Sequence, residues 1–260
     1  MLKKIINLTM TFVLSLFSIS AIAQAHSHEG DIQPWKIGAE IFLNSNLFEP
    51  DFGDISGGLY TTDEPGFDVN IAQGAFTPGN WLRFQPVGQL LFWNGTEWST
   101  TVPNEERIEI TDALGTAISY RTSGVSDTPA VIGEIGSDGG LHEHLEMSIF
   151  DASNALGGSV GAYRIQLKLF ESKANSDTSV SIATSPITIV FNRGLEHDKF
   201  ELAVSAAADL NENSVFVAET GTLDIQQVKA LGTYYKVKLR HIGDDKFQLI
   251  DAQEIPRTEK

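Results

Sequence analysis

Short runs of β-branched and aromatic residues, punctuated by Gly, Pro, Asn and Asp, constrain this chain more than any other feature. They recur from Arg107–Thr111 through Ala117–Arg121, Ala130–Ile135, Leu141–Phe150, Tyr163–Phe170 and Ile187–Phe191, at the spacing of a sandwich or barrel. Earlier, Trp35–Leu43 has the content of a first strand, and Trp81–Val87 and Gln89–Trp93 read as two more. Asn94-Gly95 before Trp98 is a hairpin turn signal. Tyr163, Ile165, Leu167 and Leu169 alternate with Arg164, Gln166 and Lys168, which predicts a sheet with one buried face and one wet face. The expected fold is therefore mainly β, an antiparallel β-sandwich of Ig-like or cupredoxin-like type. An Ala-rich stretch, Lys199–Leu210, reads as a short helix, and Tyr234–His241 with Lys246–Ile250 reads as a C-terminal β-hairpin about Gly243-Asp244-Asp245.

The first 25 residues read as a cleavable signal peptide. Lys3 and Lys4 precede a mostly apolar run, Ile5–Ile22, and small residues follow where a signal peptidase would cut. The cut falls before Gln24 or before His26. Polar residues such as Asn7, Thr9 and Ser15 interrupt the run, so it is no convincing membrane span. The domain reading is then 1–25 signal, 26–198 sandwich, and 199–260 helix plus hairpin packed on the same domain. The expected location is periplasmic or secreted, with no membrane insertion after cleavage. The chain has no cysteine, so it must stand without disulfides in an oxidising compartment. Lys and Arg number 18 against 34 Asp and Glu, and the signal takes two lysines and no acid. Such a surface repels phosphate backbones, which speaks against nucleic acid as a partner.

Histidine placement carries the chemistry. Of six histidines, four form two His-x-His pairs, His26/His28 and His142/His144. Residues i and i+2 of a strand share a face, so His142, His144 and Glu146 would form a row of donors, with Glu143 on the opposite parity. The row would begin just after the Gly136–Gly140 turn, at a sheet end open to solvent. Neutral imidazole suits zinc and copper alike. A third ligand would come from the N-terminal pair. A chain starting at His26 offers an amine–imidazole chelate suited to copper, whereas one starting at Gln24 leaves His28 with His142, His144 and Glu146 for tetrahedral zinc. The loop acids Asp51, Asp54, Asp63, Glu64 and Asp68 are a further source of oxygen ligands. Trp81, Phe84, Phe92, Trp93 and Trp98 form either core or a sugar-stacking platform. No cysteine nucleophile, Gly-x-Ser-x-Gly elbow or His-Glu-x-x-His helix is present.

Five segments resemble a family of exported bacterial proteins, best known in cyanobacteria, that stand under the zinc-uptake repressor and often carry a C-terminal sorting tail. They are Asp63–Phe67, Leu90–Gly95, Ser137–Leu145, Gly161–Tyr163 and Ser185–Asn192. The resemblance implies a role under zinc scarcity, with the His-x-His strand as ligand source. The chain departs from that family in ending on the hairpin and Pro256–Lys260, so no sorting-tail anchor is expected. The expected function is an exported metal-binding protein, zinc first and copper second, acting in metal scavenging or homeostasis beside a transporter or receptor. The alternatives are a copper oxidoreductase with an N-terminal histidine chelate and a carbohydrate-binding or adhesive sandwich.

Overall fold

The structure is a computed structural model that describes residues 30–53, 58–209, 214–217, 222–230, 233–242 and 247–255. The expected signal peptide, His26 and His28 lie outside these residues. The chain opens with a hairpin, β1 (Pro34–Ile37) and β2 (Glu40–Leu43), where one strand was expected. Gly38, at φ +63°, makes the turn. Three two-residue strands follow in the long loop: β3 (Leu47–Phe48), β4 (Thr61–Thr62) and β5 (Phe67–Asp68). Then come β6 (Asn80–Trp93), β7 (Trp98–Ser99), β8 (Arg107–Thr111), β9 (Ala117–Tyr120) and β10 (Ala130–Glu134). They are followed by β11 (His142–Glu143), β12 (Met147–Phe150), β13 (Gly161–Lys173) and β14 (Ile187–Arg193). Helix α1 (His197–Asp209) leads to β15 (Ser214–Val217), β16 (Thr222–Ala230), β17 (Thr233–His241) and β18 (Phe247–Ile255).

The fold is mainly β and built as expected from packed antiparallel sheets. The larger runs β10-β6-β13-β14-β3, with β7 paired to β6, and the smaller runs β4-β12-β8-β9. Every pair in them is antiparallel except β14 with β3. Leu82, Phe84, Tyr163, Ile165, Leu167, Ile189 and Phe191 of the larger sheet meet Ile108, Ile110, Tyr120, Met147 and Ile149 of the smaller in one buried cluster. Each fully buried aliphatic or aromatic side chain contributes about 1.5–3 kcal/mol of transfer free energy. The Tyr120 hydroxyl donates to the Gln166 carbonyl at 2.9 Å, tying the layers across the core. The two strands expected at 81–93 are one strand, β6, bulged at Gly88. That residue has φ +74°, and the register with β13 shifts between Arg164 and Gln166. The C-terminal hairpin is the second half of a four-stranded meander, β15-β16-β17-β18.

The outer face of the larger sheet is drier than its alternation predicts. Phe200, Ala203, Val204 and Ala207 of α1 pack on Trp93, Ala162 and Val190. Arg164, two residues beyond Ala162 on that face, is buried as well. Desolvation holds its guanidinium down to about 10. Trp93 is buried in the helix contact, and the Trp98 indole donates to the Ala203 carbonyl at 3.1 Å. These two rings belong to the packing under α1, the core reading of the two open for them.

Candidate metal centre

Three chain segments meet beside β5 and β11. Ile32, fully buried, docks the N-terminal segment: its N–H donates to Gly66 O at 2.9 Å, and Asp68 N donates to its carbonyl at 3.0 Å. Asn44 clamps the same stretch from the far side, Nδ2 donating to Asp31 O and Oδ1 accepting from Gln33 N, both at 2.9 Å. Asp31 is thereby carried inside with no exposed surface. The second segment is the turn from Thr62 to Asp68. Thr62 pairs with Met147, and its hydroxyl accepts from Glu64 N at 3.1 Å. The third is β11, where His142 pairs with Asp68, and Leu141 O accepts from Val69 N at 2.9 Å.

The row expected along one strand is not continuous. β11 ends at Glu143 and β12 begins at Met147, so Leu141–Phe150 is two strands with a break at residues 144–146. His142 and His144 nevertheless come together, with ring centroids 5.0 Å apart. Leu145 is buried in the core, while Glu143, on the opposite parity to His142, is exposed rather than core-facing. Glu146 is exposed and receives the Ser148 hydroxyl at 3.4 Å. It is not among the groups that converge.

What converges is a set of carboxylates and imidazoles. One donor atom each from Asp31, His142 and His144 lies within 4.8 Å of the others, and the same holds for Asp63, Glu64 and His144. The His144 ring lies flat against Gly66: a Cβ built there would stand 2.5 Å from its Cε1 and 2.7 Å from its Nε2. Any larger residue would displace the ring. On its other side Nδ1 is 3.1 Å from the Asp63 carbonyl oxygen. Nδ1–H donates to that oxygen, a contact of the kind by which outer partners set the tautomer in metal sites. His142 Nδ1 stands 3.6 Å from Asp68 Oδ1, and its side chain is 45% exposed, so the site opens to solvent over this ring.

Among the described residues no Lys or Arg forms an ion pair with Asp31, Asp63 or Glu64; the pairs that form lie elsewhere, at Glu171, Asp177 and Glu109. Asp31 Oδ1 and Glu64 Oε2 both accept from the single Gly66 N–H, at 3.1 and 3.2 Å. Asp31 Oδ2 and Asp63 Oδ1 are buried without a hydrogen-bond partner. Burial pushes the Glu64 carboxyl above its ordinary value, and the neighbouring Asp31 charge pushes the same way. The Gly66 N–H and His144 offset part of this. A buried carboxylate oxygen with no donor costs several kcal/mol unless a cation meets it. The arrangement is therefore positioned to hold a metal ion.

Of the expected ligands, His142 and His144 are in place. The loop acids Asp63, Glu64 and Asp68 join them, whereas Asp51 bridges to Asn192 and Asp54 lies outside the described residues. Asp31 is the donor that sequence reasoning passed over. It stands alone between Gly30 and Ile32, and no periodicity marks it. Among the described residues no helix is long and apolar enough to cross a membrane. No family model matches the chain, and no curated protein does. The resemblance to the zinc-repressor family thus rests on the quoted segments alone.

Proposed function

We propose that this chain is an exported metal-binding protein that takes zinc on Asp31, His142 and His144 and serves metal scavenging or homeostasis. The observation that carries the reading is the buried Asp31: its Oδ2 has no hydrogen-bond partner among the described residues, and one of its carboxylate oxygens lies within 4.8 Å of a ring nitrogen of both His142 and His144. Two neutral imidazoles and one carboxylate are a common protein set for zinc, with a further position left for water or another ligand. The carboxylate favours zinc over monovalent copper, which prefers thiolate and thioether donors. A donor set that runs from the buried Asp31 to the half-exposed His142 suits a cargo that is taken up and released to a transporter or receptor. Export, to the periplasm or beyond, follows from the signal-like first 25 residues.

Metal analysis of the purified mature protein, followed by zinc titration of chelator-treated protein, tests the reading. About one or more equivalents, lost in the His142→Ala/His144→Ala double variant while its circular dichroism is unchanged, supports it. Absence of any bound or titratable metal in the wild type sinks it.

A further inference from the structure

We propose that residues 31–33 are a strap closed by the cation: they lie docked on the edge of β5 when metal is bound and leave that edge when it is not. The proposal rests on the metal-binding reading and adds to it a change of conformation that follows occupancy.

The strap is an added strand with one firm end. Ile32 forms an isolated parallel bridge to Phe67, its N–H donating to Gly66 O and its carbonyl accepting from Asp68 N. The other edge of β5 pairs with β11, where His142 stands. Pro34, buried and paired with Leu43 at the start of β1, is the tether. The burial of Ile32 and the Asn44 clamp favour docking.

Asp31 opposes it. Docking takes this carboxylate fully out of solvent, and among the described residues its Oδ2 finds no hydrogen-bond partner. Its Oδ1 shares the Gly66 N–H with Glu64, so two carboxylates stand on one donor. Leaving the edge returns Asp31 to water and relieves that burial at the expense of Ile32. A cation reverses the balance. It meets Asp31 together with donors of residues 142–144 only while the strap is docked, because those donors sit on and just beyond β11. Binding one form and not the other draws the segment in. At free zinc about 100 times the dissociation constant, the docked-to-undocked ratio rises by about 100-fold. The empty protein then presents a bare edge of β5 and the loaded one does not, a difference that a metal-receiving partner can read.

Hydrogen exchange of the full mature chain, stripped with chelator and then given zinc alone, tests the strap, with zinc uptake titrated on the same sample. The Ile32 and Asp68 amides bond across the strap, whereas Val69 donates to Leu141 O across the other edge of β5. Zinc should slow Ile32 and Asp68 by about 10-fold or more, up to the roughly 100-fold set by linkage, and slow Val69 far less. Asp31→Asn keeps an acceptor for the Gly66 N–H and removes the charge. Without metal, its Ile32 amide should exchange about 10-fold or more slower than that of metal-free wild type. Zinc bound with Ile32 exchange unchanged within about 3-fold, or Ile32 and Val69 slowed equally, overturns the strap and leaves metal binding standing. Metal-free Asp31→Asn exchanging as fast as metal-free wild type also overturns it, because the buried charge is then not what loosens the segment. No zinc uptake by the wild type overturns the metal-binding reading, and the strap with it.

Discussion

Asp31 and Glu171 are both carboxylates with no exposed surface, yet the fold surrounds them in opposite ways. Glu171, on β13, receives the Lys36 ammonium, the Thr77 N–H at 3.0 Å and the Asn80 amide at 2.7 Å. Burial alone would raise its carboxyl, but these donors outweigh burial and hold it below its ordinary value. Among the described residues Asp31 has one shared backbone N–H for Oδ1 and no hydrogen-bond partner for Oδ2, and its neighbour Glu64 is pushed up rather than down. The protein satisfies a buried carboxylate fully where the role is structural. Where it does not, at Asp31, the partner we propose is a cation that comes from outside.

The sharpest way to break this contrast is to remove each carboxylate in turn. Glu171→Ala leaves Lys36 facing an empty buried site and should cost about 3–5 kcal/mol. That corresponds to a fall of roughly 10 °C in the midpoint of thermal unfolding, while zinc uptake by the folded protein stays unchanged. Asp31→Asn should do the reverse. Zinc affinity falls by about 100-fold or more, beyond the roughly 10–100-fold expected from loss of an outer partner. The metal-free protein melts no lower than wild type, because the amide keeps the Gly66 bond and removes an unpaired charge. A metal-free Asp31→Asn protein that melts well below wild type would place Asp31 in the same structural class as Glu171 and dissolve the contrast.

The histidine half of the centre was legible in the sequence because it is local. His142 and His144 lie two apart in a scarce residue type, and the turn at Gly136–Gly140 announces a sheet end. The strand geometry behind that reading was only half right. β11 stops at Glu143, and His144 reaches the site by lying on Gly66 rather than by continuing a row. Glu146 loses its place for the same reason. The acidic half is non-local: Asp31 and Asp63 reach His144 across more than 80 residues, through the Ile32–Gly66 and Thr62–Met147 pairings. A short two-residue strand such as β5 has no period to detect, so nothing in the one-dimensional pattern joins these segments. The sandwich was legible because its burial repeats. The cover of α1 over Trp93, Ala162 and Val190 was not, because a helix packed on a sheet face buries it without altering the sequence signal.

Acid sharpens the contrast next. The folded value of Glu171 lies below its ordinary 4.5. Its contribution is therefore complete above that pH and is lost as pH falls through the depressed value. Urea unfolding of wild type and Glu171→Ala should accordingly differ fully at neutral pH and draw together only as pH falls through the depressed value, below 4.5. Gly66→Ala probes the joint between the two halves of the centre. The added Cβ, 2.5–2.8 Å from three ring atoms of His144, must push the imidazole off its place. The expected cost is about 1–3 kcal/mol in stability from overpacking and about 10-fold in zinc affinity from the misplaced ligand. Equal affinity in wild type and Gly66→Ala would mean that the position of the His144 ring does not matter to binding.

The smallest effect is expected at the N-terminal pair, which makes it the finest gauge of where the missing partner of Asp31 comes from. His28 stands three residues before Asp31, and three residues span at most about 10 Å, so the chain allows this ring to arrive at the site. If the imidazoles of His142 and His144 with Asp31 hold the ion, His26→Ala and His28→Ala should each change zinc affinity by less than about 3-fold, under 1 kcal/mol. A loss of 10-fold or more in His28→Ala would make this residue a ligand and the cation four-coordinate by protein alone. Asp31 would then share its role with a ring brought in by its own segment, and the open position proposed for release to a partner would be closed. Paired titrations of the two single variants at one pH decide between an open three-donor site and a closed one, because only the closed site responds to His28.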